Sequence, residues 1–414
     1  MNLPLQLSLL RNATLPDGRL VDVELEGAEV TAVLPAGDAA PVADELDLTG
    51  YLLLPAAADP HAHLDKSLSW DAIRPPMGDL LLAIESWKAH TATMTEDDVA
   101  ARARAQALAM LRNGTTAIRS HVDVLTSGND PLLCARALLR VREELRSVMD
   151  IELVVLAGPQ AADEHVEAAL DLGLDLVGGA PHLADDPSAD LQRLLAIAFR
   201  RGIGVDLHTD ESLDGPVTLG ELARTVRGWP QNVSAGHCVR LATLPARDRR
   251  EIIAEVVASR VGIIANPITN LYLQGWEHHT SAARGITAAR ELLEAGARFA
   301  AGADNVRDPF NPLGRGDALE TAMLLVAAAH LTVDEAFTAV SDGARDVMAL
   351  PRAGAHVGAR AEFLAIRAAD LTEAVATAPA DRYVIHAGAL VAATTVQSTV
   401  AAAAPAALTG ELIP

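Results

Sequence analysis

The sequence predicts an α/β protein, a TIM-type (β/α)8 barrel with a small β-sandwich domain formed by both chain ends. Two patterns lead to this class. The middle of the chain repeats an apolar run, a turn and a longer helical stretch, whereas both ends consist of short alternating runs separated by turns. The length of 414 residues suits a barrel of about 250 residues or more with an appended module. We expect the sandwich at residues 1–54 plus 352–414 and the barrel at residues 55–351.

The barrel strands are predicted from eight apolar runs of β-branched or small residues without polar alternation, as in parallel strands covered on both faces. Helical stretches separate these runs, and the stretch before the second run stops at Asn113-Gly114, a typical helix end. Such repeats favour a closed barrel over an open doubly wound sheet. In chain order the runs are LLLPAAADP, TTAIRSHVDV, IELVVLAGP, LDLVGGAP, IGVDLHTD, NVSAGHC, VGIIANP and ARFAAGAD.

The two ends of the chain share one character. LQLSLL and RLVDVELEG alternate around a turn at Pro16-Asp17-Gly18, and AEFLAIRA, RYVIHAG and ALVAATTV do so at the carboxyl end. Because both ends are β-rich, we expect them to pair into one domain. The Ala-rich segment TVAAAAPAALTG that follows has low complexity.

Composition narrows the partners. The formal net charge of -22 argues against nucleic-acid or anionic-membrane partners, since phosphate binding needs clustered Lys and Arg. No signal-peptide pattern and no apolar run of about 18 residues is present. Cys134 and Cys238 form no CxxC motif, so no disulfide framework is indicated. We expect a cytoplasmic enzyme with a small-molecule partner. Barrel enzymes often form homo-oligomers, but the sequence identifies no interface.

Metal-capable and hydrogen-bonding side chains fall where the predicted strands end. The carboxyl ends of barrel strands lie at one face, so residues far apart in the chain meet there. The positions are His61 and His63, His121 and Asp123, Gln160, His208 with Asp210 and Glu211, His237, and Asp304.

Four of these residues predict a metal site. His61 and His63 are separated by one residue on a strand, so both imidazoles point to the same face. With His208 and Asp304 they make three imidazoles and one carboxylate, which suits Zn²⁺ or Fe²⁺ and leaves a position open for water.

Lysine usage indicates how many metal ions are bound. Some barrel hydrolases bridge two ions with a modified lysine on strand four, but the only lysines here are Lys66 and Lys88. The fourth predicted strand, LDLVGGAPH, has none. We predict one divalent metal ion per chain.

Three further residues have two interpretations each. Glu211, in His208-Thr209-Asp210-Glu211, could carry protons between water and a substrate ring nitrogen, or could belong to an acidic helix start. His237 could polarise the metal-bound water or be a core histidine, and its place at a strand end favours the first. Asp123 is expected beside the ligands or in an internal salt bridge.

Two other histidine motifs are set aside. His165-Val166-Glu167 matches the His-x-Glu of small zinc nucleobase deaminases, but no Pro-Cys-x-x-Cys follows. His278 and His279 are expected in a solvated loop after strand seven, and the alternative is that they belong to a substrate lid. No Walker loop, Gly-x-Gly-x-x-Gly or Gly-x-Ser-x-Gly motif is present.

The motifs HAHLDK, SHVDV, HTDE, SAGHC and GADNVRDPFNPLG, in this order, resemble the amidohydrolase superfamily, and within it the bacterial cytosine deaminase group. LAGPQ is similar to the strand-three segment whose glutamine holds the pyrimidine, and NPITNLYLQG to the segment after strand seven. The resemblance covers essentially the whole chain. It implies an enzyme in which a metal-activated water removes the exocyclic amine of a cytosine-like heterocycle as ammonia.

The resemblance also implies individual roles. Glu211 would shuttle protons, His237 would support the attacking hydroxide, and Gln160 would bind the ring. Asp304 would first deprotonate the water and would also bind the metal. The implied metal ligands are His61, His63, His208 and Asp304.

Two expected substrate-binding positions depart from the cytosine deaminase pattern. Asn305 stands where a second Asp is usual, and Phe310 stands where Trp is usual. We expect the Asn305 side chain to point away from the metal or to lie at the pocket rim.

Two alternatives to cytosine-like deamination stay open. HLDK resembles a motif of relatives that strip alkylamines from hydroxylated triazines of the ammelide type, although those lack the Glu of HTDE. Alkylamine release or opening of a cyclic amide is therefore the first alternative. The second is a non-catalytic metal-binding protein, which would have no use for Glu211, His237 or Gln160.

Overall fold

The computed structural model describes residues 3–128, 130–278, 280 and 283–400. Its strands in chain order are β1 (Leu5–Gln6), β2 (Leu9–Thr14), β3 (Leu20–Glu26), β4 (Glu29–Pro35), β5 (Glu45–Asp47), β6 (Leu52–Pro55), β7 (Ala57–Ala62), β8 (Thr115–Asp123), β9 (Asp150–Ala157), β10 (Leu176–Gly179), β11 (Val205–Thr209), β12 (Val233–His237), β13 (Gly262–Ala265), β14 (Phe299–Ala301), β15 (Phe363–Ile366), β16 (Arg382–His386) and β17 (Ala389–Thr394).

The helices cover the strands and connect them. They are α1 (Trp70–Ile73), α2 (Leu80–Thr91), α3 (Glu96–Arg112), α4 (Leu133–Leu145), α5 (Asp163–Leu172), α6 (Pro187–Arg201), α7 (Leu219–Thr225), α8 (Val239–Thr243), α9 (Ala246–Ser259), α10 (Pro267–Leu273), α11 (Ala289–Glu294), α12 (Ala318–Ala329), α13 (Val333–Val340), α14 (Asp342–Val347) and α15 (Leu371–Thr377), with a short 3-10 helix at Pro181–Leu183.

The barrel is an eight-stranded sheet in the order β14-β13-β12-β11-β10-β9-β8-β7, and every pairing along it is parallel. Its ends meet between β7 and the residues after β14, where the Asp304 backbone N–H donates to the His61 carbonyl at 2.8 Å. The Asp59 carboxylate accepts from the Ala303 backbone N–H at 3.0 Å across the same seam. All eight strands correspond to the eight predicted runs, so the predicted barrel is confirmed.

The second sheet takes strands from both chain ends. Its nine strands run in the order β1-β17-β16-β15-β6-β2-β3-β4, with β5 paired beside β2. Its buried side includes Leu10, Val23 and Phe363, which pack in a core separate from that of the barrel. The predicted tail TVAAAAPAALTG falls mostly outside the described residues, because these end at residue 400.

The first predicted barrel run divides between the two sheets. Its front half is β6, where Leu54 pairs with Leu364 of β15, and its back half is β7, which begins at Ala57. Pro55 lies at the change of sheet and has no N–H for a strand ladder. The apolar sequence is continuous there because both halves are buried.

Capping residues fix the helix after the first barrel strand. Thr95 accepts a hydrogen bond from the Asp98 N–H at the start of α3, and the helix ends at the predicted Asn113-Gly114, where Gly114 has φ +102°. The shorter α2 precedes it, capped by Asp79. Leu81 of α2 is 65% exposed.

No helix within the described ranges is long and apolar enough to cross a membrane.

Candidate metal centre and active site

Three histidines and one aspartate converge where the barrel strands end. His63 Nε2 lies 3.0 Å from His208 Nε2 and 3.3 Å from Asp304 Oδ1. His61 Nε2 lies 3.7 Å from the same Asp304 oxygen. Strands β7 and β11 carry the histidines, and Asp304 follows β14, so the barrel brings together residues more than 240 positions apart. The four predicted metal ligands therefore share one site.

The chemistry of this cluster fits a divalent cation. Both ring nitrogens of His61 are buried and have no hydrogen-bond partner among the described residues. An unsatisfied buried polar group costs about 1–3 kcal/mol, so bare lone pairs are expected only where something binds them. Burial lowers the pKa of His61 and His208 well below the usual range and that of His63 to about 3. The imidazoles are therefore neutral, as ligation requires.

Two residues allow this close packing. The His61 ring lies so near β12 that a Cβ on Gly236 would be 2.8 Å from His61 Nδ1, which explains the glycine in SAGHC. His121 packs on the other side, with its ring centroid 4.2 Å from that of His61. His121 Nε2 is 3.7 Å from Asp206, whose other oxygen accepts from Arg119 at 2.7 Å. The His61 ring is thus packed between Gly236 and His121.

His237 faces the same cavity in its neutral form. Burial lowers its pKa, and the Asn270 amide nitrogen lies 3.0 Å from Nδ1. Nδ1 also lies 3.4 Å from the Asn270 amide oxygen, whereas Nε2 has no partner in the described part of the chain. His237 and Asp304 both have positive φ, +65° and +55°, an uncommon conformation that is often found at functional sites.

The neighbouring carboxylates of HTDE have different surroundings. Asp210 accepts from the Thr218 N–H and hydroxyl at 2.8 Å each and from the Leu219 N–H at 3.1 Å, so it holds the start of α7. Glu211 lines the cavity instead, with Oε1 at 3.7 Å from His237 Nδ1. Burial, together with the charge of Asp304, raises the pKa of Glu211 to about 8. Glu211 is therefore a buried carboxyl that can hold a proton near neutral pH.

Asp123 takes part in an internal salt bridge, one of its two predicted settings. Its Oδ1 lies 2.9 Å from Lys66 Nζ, and its Oδ2 accepts from Trp87 Nε1 at 2.6 Å. Lys66 Nζ is also 3.4 Å from Asp65 and 3.5 Å from His63 Nδ1. Burial alone would lower the pKa of Lys66, but Asp123 and Asp65 raise it above its usual value. A buried ammonium thus lies beside a metal-ligand candidate.

The predicted substrate-binding residues all line one cavity of about 310 Å³. Gln160 lies at an exposed edge, where its amide oxygen accepts from Lys88 Nζ at 3.1 Å. Asn305 is buried, and its amide nitrogen donates to Asp308 Oδ2 at 2.7 Å. Phe310 is partly buried at the same wall.

Sequence reasoning missed three residues of this site. His182 is buried, with Nε2 3.8 Å from Glu211 Oε2, and it follows β10 in the run GGAPH, a signal that was available. Lys66 was counted only in the argument on metal number. Asn270, in NPITNLYLQG, gave no signal of its contact with His237.

His165 and His278 are not among the residues that line the cavity. Glu167, two residues after His165, pairs with Arg200 and Arg201, which agrees with setting aside the His-x-Glu motif. His278 is exposed beside Glu277. His279 lies outside the described residues.

Comparison with known proteins identifies the family. Residues 93–397 match the amidohydrolase family model Amidohydro_3, which is well over half of the chain. The chain belongs to the amidohydrolase family. The predicted resemblance and the prediction of a hydrolase acting on C–N bonds are thereby confirmed.

Relatives of this amidohydrolase match along nearly their whole length. Pterin deaminase of Rhizobium rhizogenes is 29% identical over 411 residues, covering 92% of each chain. The structure of 5-methylcytosine deaminase from Klebsiella pneumoniae, liganded with 5-fluorocytosine, superimposes with a TM-score of 0.84 at 26% identity, over 95% of this chain and 99% of that one. For N-isopropylammelide isopropylaminohydrolase from Burkholderia multivorans the TM-score is 0.79 at 29% identity, over 93% and 98%.

Proposed function

We propose that this amidohydrolase is a mononuclear metal-dependent aminohydrolase that removes ammonia from a cytosine-like nitrogen heterocycle. The observation that carries the proposal is Glu211. It is buried in the cavity that also contains the metal-ligand candidates, its side chain has no cationic partner of fixed charge in the described chain, and its pKa of about 8 suits proton transfer near neutral pH.

One Zn²⁺ or Fe²⁺ ion would be held by His61, His63, His208 and Asp304. A bound divalent ion lowers the pKa of a water molecule from 15.7 toward about 7, which supplies the nucleophile at neutral pH. The single-ion count follows from this ligand set and from β10, which carries no lysine.

The protein's own groups would then move the protons. Asp304, which lies beside His63 at 3.3 Å, takes a proton from the attacking water. Glu211 gives a proton to the ring nitrogen as the water oxygen bonds to the ring carbon that bears the amine. The proton held by Asp304 passes to the amine nitrogen, and the hydroxyl proton of the adduct returns to Glu211. The C–N bond then breaks, ammonia leaves, and a ring carbonyl forms.

The remaining cavity residues would orient the reactants. His237 hydrogen-bonds the attacking oxygen through Nε2, because its Nδ1 already lies beside the Asn270 amide. Gln160 and Asn305 hydrogen-bond the ring edge, and Phe310 packs against the ring. Preorganised donors in a closed site strengthen such interactions because they need no rearrangement during the reaction.

The alternative is release of an alkylamine from a hydroxylated triazine. Lys66 beside His63 favours it, because HLDK also occurs in the motif of such enzymes, and the Burkholderia relative is named for that substrate class. Glu211 favours the deaminase, since a proton shuttle of this kind belongs to the cytosine deaminase pattern.

Product analysis separates the two reactions. Metal-loaded protein is incubated with cytosine, 5-methylcytosine, isoguanine, creatinine, pterin, ammelide and N-isopropylammelide, and ammonia and isopropylamine are measured separately. Ammonia from an amino-heterocycle, abolished by Glu211→Gln, supports the proposal. Isopropylamine as the sole product would replace it with the alternative, and no product from any compound would favour a non-catalytic metal-binding protein.

A further inference from the structure

The cavity extends well beyond the metal-ligand candidates. Its volume of about 310 Å³ equals that of roughly ten water molecules at about 30 Å³ each. Its lining includes His63, His208 and Asp304 and also Leu125, Leu183 and residues of α2, of which Leu81 is 65% exposed. A single small ring placed against the inner residues would leave the outer part unfilled.

One face of α2 forms the outer wall. Leu80, Ile84 and Lys88 follow one another at four-residue intervals, so their side chains lie on the same side of the helix, and all three line the cavity. Leu81 lines it as well, although it is 65% exposed. The wall is therefore apolar over two turns and ends in a lysine.

The two cavity lysines differ in their partners. Lys66 is buried between Asp123 and Asp65, at 2.9 Å and 3.4 Å, so its charge is balanced. Lys88 Nζ donates to the neutral amide oxygen of Gln160 at 3.1 Å, and among the described residues it forms no ion pair. A cation on the cavity wall that has no ion-pair partner among the described residues can pair with an anionic group of a substrate.

We propose that the substrate carries a carboxylate on the edge remote from the amine that leaves, and that Lys88 binds this carboxylate. Leu80, Leu81 and Ile84 would cover the second ring or linker between the two ends. The substrate class is then a fused or substituted amino-heterocycle carboxylate. This inference rests on the proposed function, because it takes the amine to be at the metal end.

The test uses pairs of heterocycles that differ only in the carboxylate, namely pterin with pterin-6-carboxylate and cytosine with cytosine-5-carboxylate. For each pair the ratio of kcat/KM, acid over neutral, is measured for wild type, Lys88→Met and Lys88→Arg. Dissociation constants for the same compounds are measured in parallel by calorimetry. Met keeps the length of the side chain without its charge, and Arg keeps the charge.

The acid should be preferred in wild type for at least one pair. Lys88→Met should lower the ratio by about three- to tenfold, Lys88→Arg should restore most of it, and added salt should weaken it, as expected for a partly exposed ion pair. Turnover of the neutral compounds without preference for either acid, or an equal ratio in Lys88→Met, would overturn the inference and leave the proposed function intact.

The dissociation constants distinguish failure of the proposed function from failure of the Lys88 site. Absence of ammonia from all compounds, combined with tighter binding of an acid that Lys88→Met removes, would reject the deaminase and keep the anion site. Absence of both turnover and preferential binding of either acid would reject both.

Discussion

Two buried carboxyl groups at opposite ends of the barrel, Glu211 and Glu362, have pKa values shifted in opposite directions. At the carboxyl ends of the strands, burial raises the pKa of Glu211 to about 8 and that of Asp304 to about 6. Near the amino ends, the second sheet meets the barrel around Glu362, which is also buried. There the hydrogen bond and charge of His386 and the nearby arginines outweigh burial and lower the pKa of Glu362 to about 2.

The difference lies in the number of partners. Glu362 Oε1 accepts from Arg360 Nε at 2.7 Å and from the Ala387 N–H at 3.1 Å, and its Oε2 accepts from His386 Nδ1 at 3.1 Å. Arg345 Nη2 lies 3.7 Å from the same oxygen. Among the described residues, Glu211 has no comparable donor. One buried carboxyl is thus fixed as an anion, whereas the other can exchange a proton.

The Glu362 cluster also connects the two sheets. Arg360 reaches Asp150 at the start of β9 at 3.1 Å, and Arg345 donates to Thr116 near the start of β8 at 3.0 Å. Asp150, Glu362 and His386 are close enough to hold a metal ion, but the two arginines already balance their charge. We therefore regard this end as structural, in keeping with barrels whose chemistry lies at the other face.

The largest effect is expected from removing a proposed metal ligand at the carboxyl ends of the barrel strands. His208→Ala should reduce bound metal from about one ion per chain to a small fraction and abolish turnover, because it deletes a direct bond to the ion. Elemental analysis after dialysis measures the bound metal, with His278→Ala, which changes an exposed histidine outside the cavity, as control. Two tightly held ions in the wild-type enzyme would contradict the single-ion site.

Next in size is the loss of the proton shuttle. Glu211→Gln should keep the metal and lower kcat by about 10² to 10⁴, because an amide of nearly equal size cannot carry a proton. The adjacent variant Asp210→Asn should instead lower thermal stability, since Asp210 holds the start of α7. Near-normal turnover in Glu211→Gln would move the proton shuttle to another residue.

Near the amino ends of the barrel strands, substitution of Glu362 should affect stability and not metal binding. Glu362→Gln should lower the free energy of unfolding by about 3 kcal/mol, because it removes an anion surrounded by cationic donors. Metal content should stay at the wild-type level. In metal-free protein, Glu211→Gln should have the opposite effect on stability. It should raise Tm, because it removes a buried carboxyl that has no fixed cationic partner among the described residues. If both variants changed stability in the same direction, the contrast between Glu211 and Glu362 would be wrong.

Acid sharpens the same test. The folded pKa of Glu362, about 2, lies below the ordinary value of 4.5. Its contribution is therefore fully present above about pH 4.5 and is lost as the pH falls through about 2. The stability difference between wild type and Glu362→Gln, measured by denaturant titration, should be smaller at pH 3 than at pH 7. A constant difference would assign the loss to packing.

The smallest effect concerns substrate preference. Asn305→Asp would place a second carboxylate against Asp308, which already lies 2.7 Å from the amide and whose pKa burial raises to about 7. Because Asp is usual at this position in the cytosine deaminase pattern, we expect the variant to prefer cytosine more strongly. A changed hydrogen bond in a closed site is worth about 1–3 kcal/mol, so the kcat/KM ratio of cytosine to the best substituted heterocycle should rise by roughly tenfold. Metal content is the control, and an unchanged ratio would mean that Asn305 does not contact the substrate.

Much of the fold and of the inner site could be predicted because the signals are local. Eight apolar runs specify eight parallel strands, and the period of two puts His61 and His63 on one face. Their position at strand ends then implies that His208 and Asp304 lie nearby. The α2 cover, with Leu80, gave no comparable signal, since an amphipathic helix does not reveal what it packs against.

By itself the sequence determined the order of the strands and the kinds of side chain at their ends, since both depend on short-range periodicity. Only the tertiary structure decided which neighbours each buried charge has. Asp210 and Glu211 are adjacent in the chain, yet one is held by three donors and the other faces the cavity. A pKa depends on burial and on charges that folding brings close together. The short-range pattern of the sequence therefore does not distinguish the two carboxyls, and the tertiary structure does.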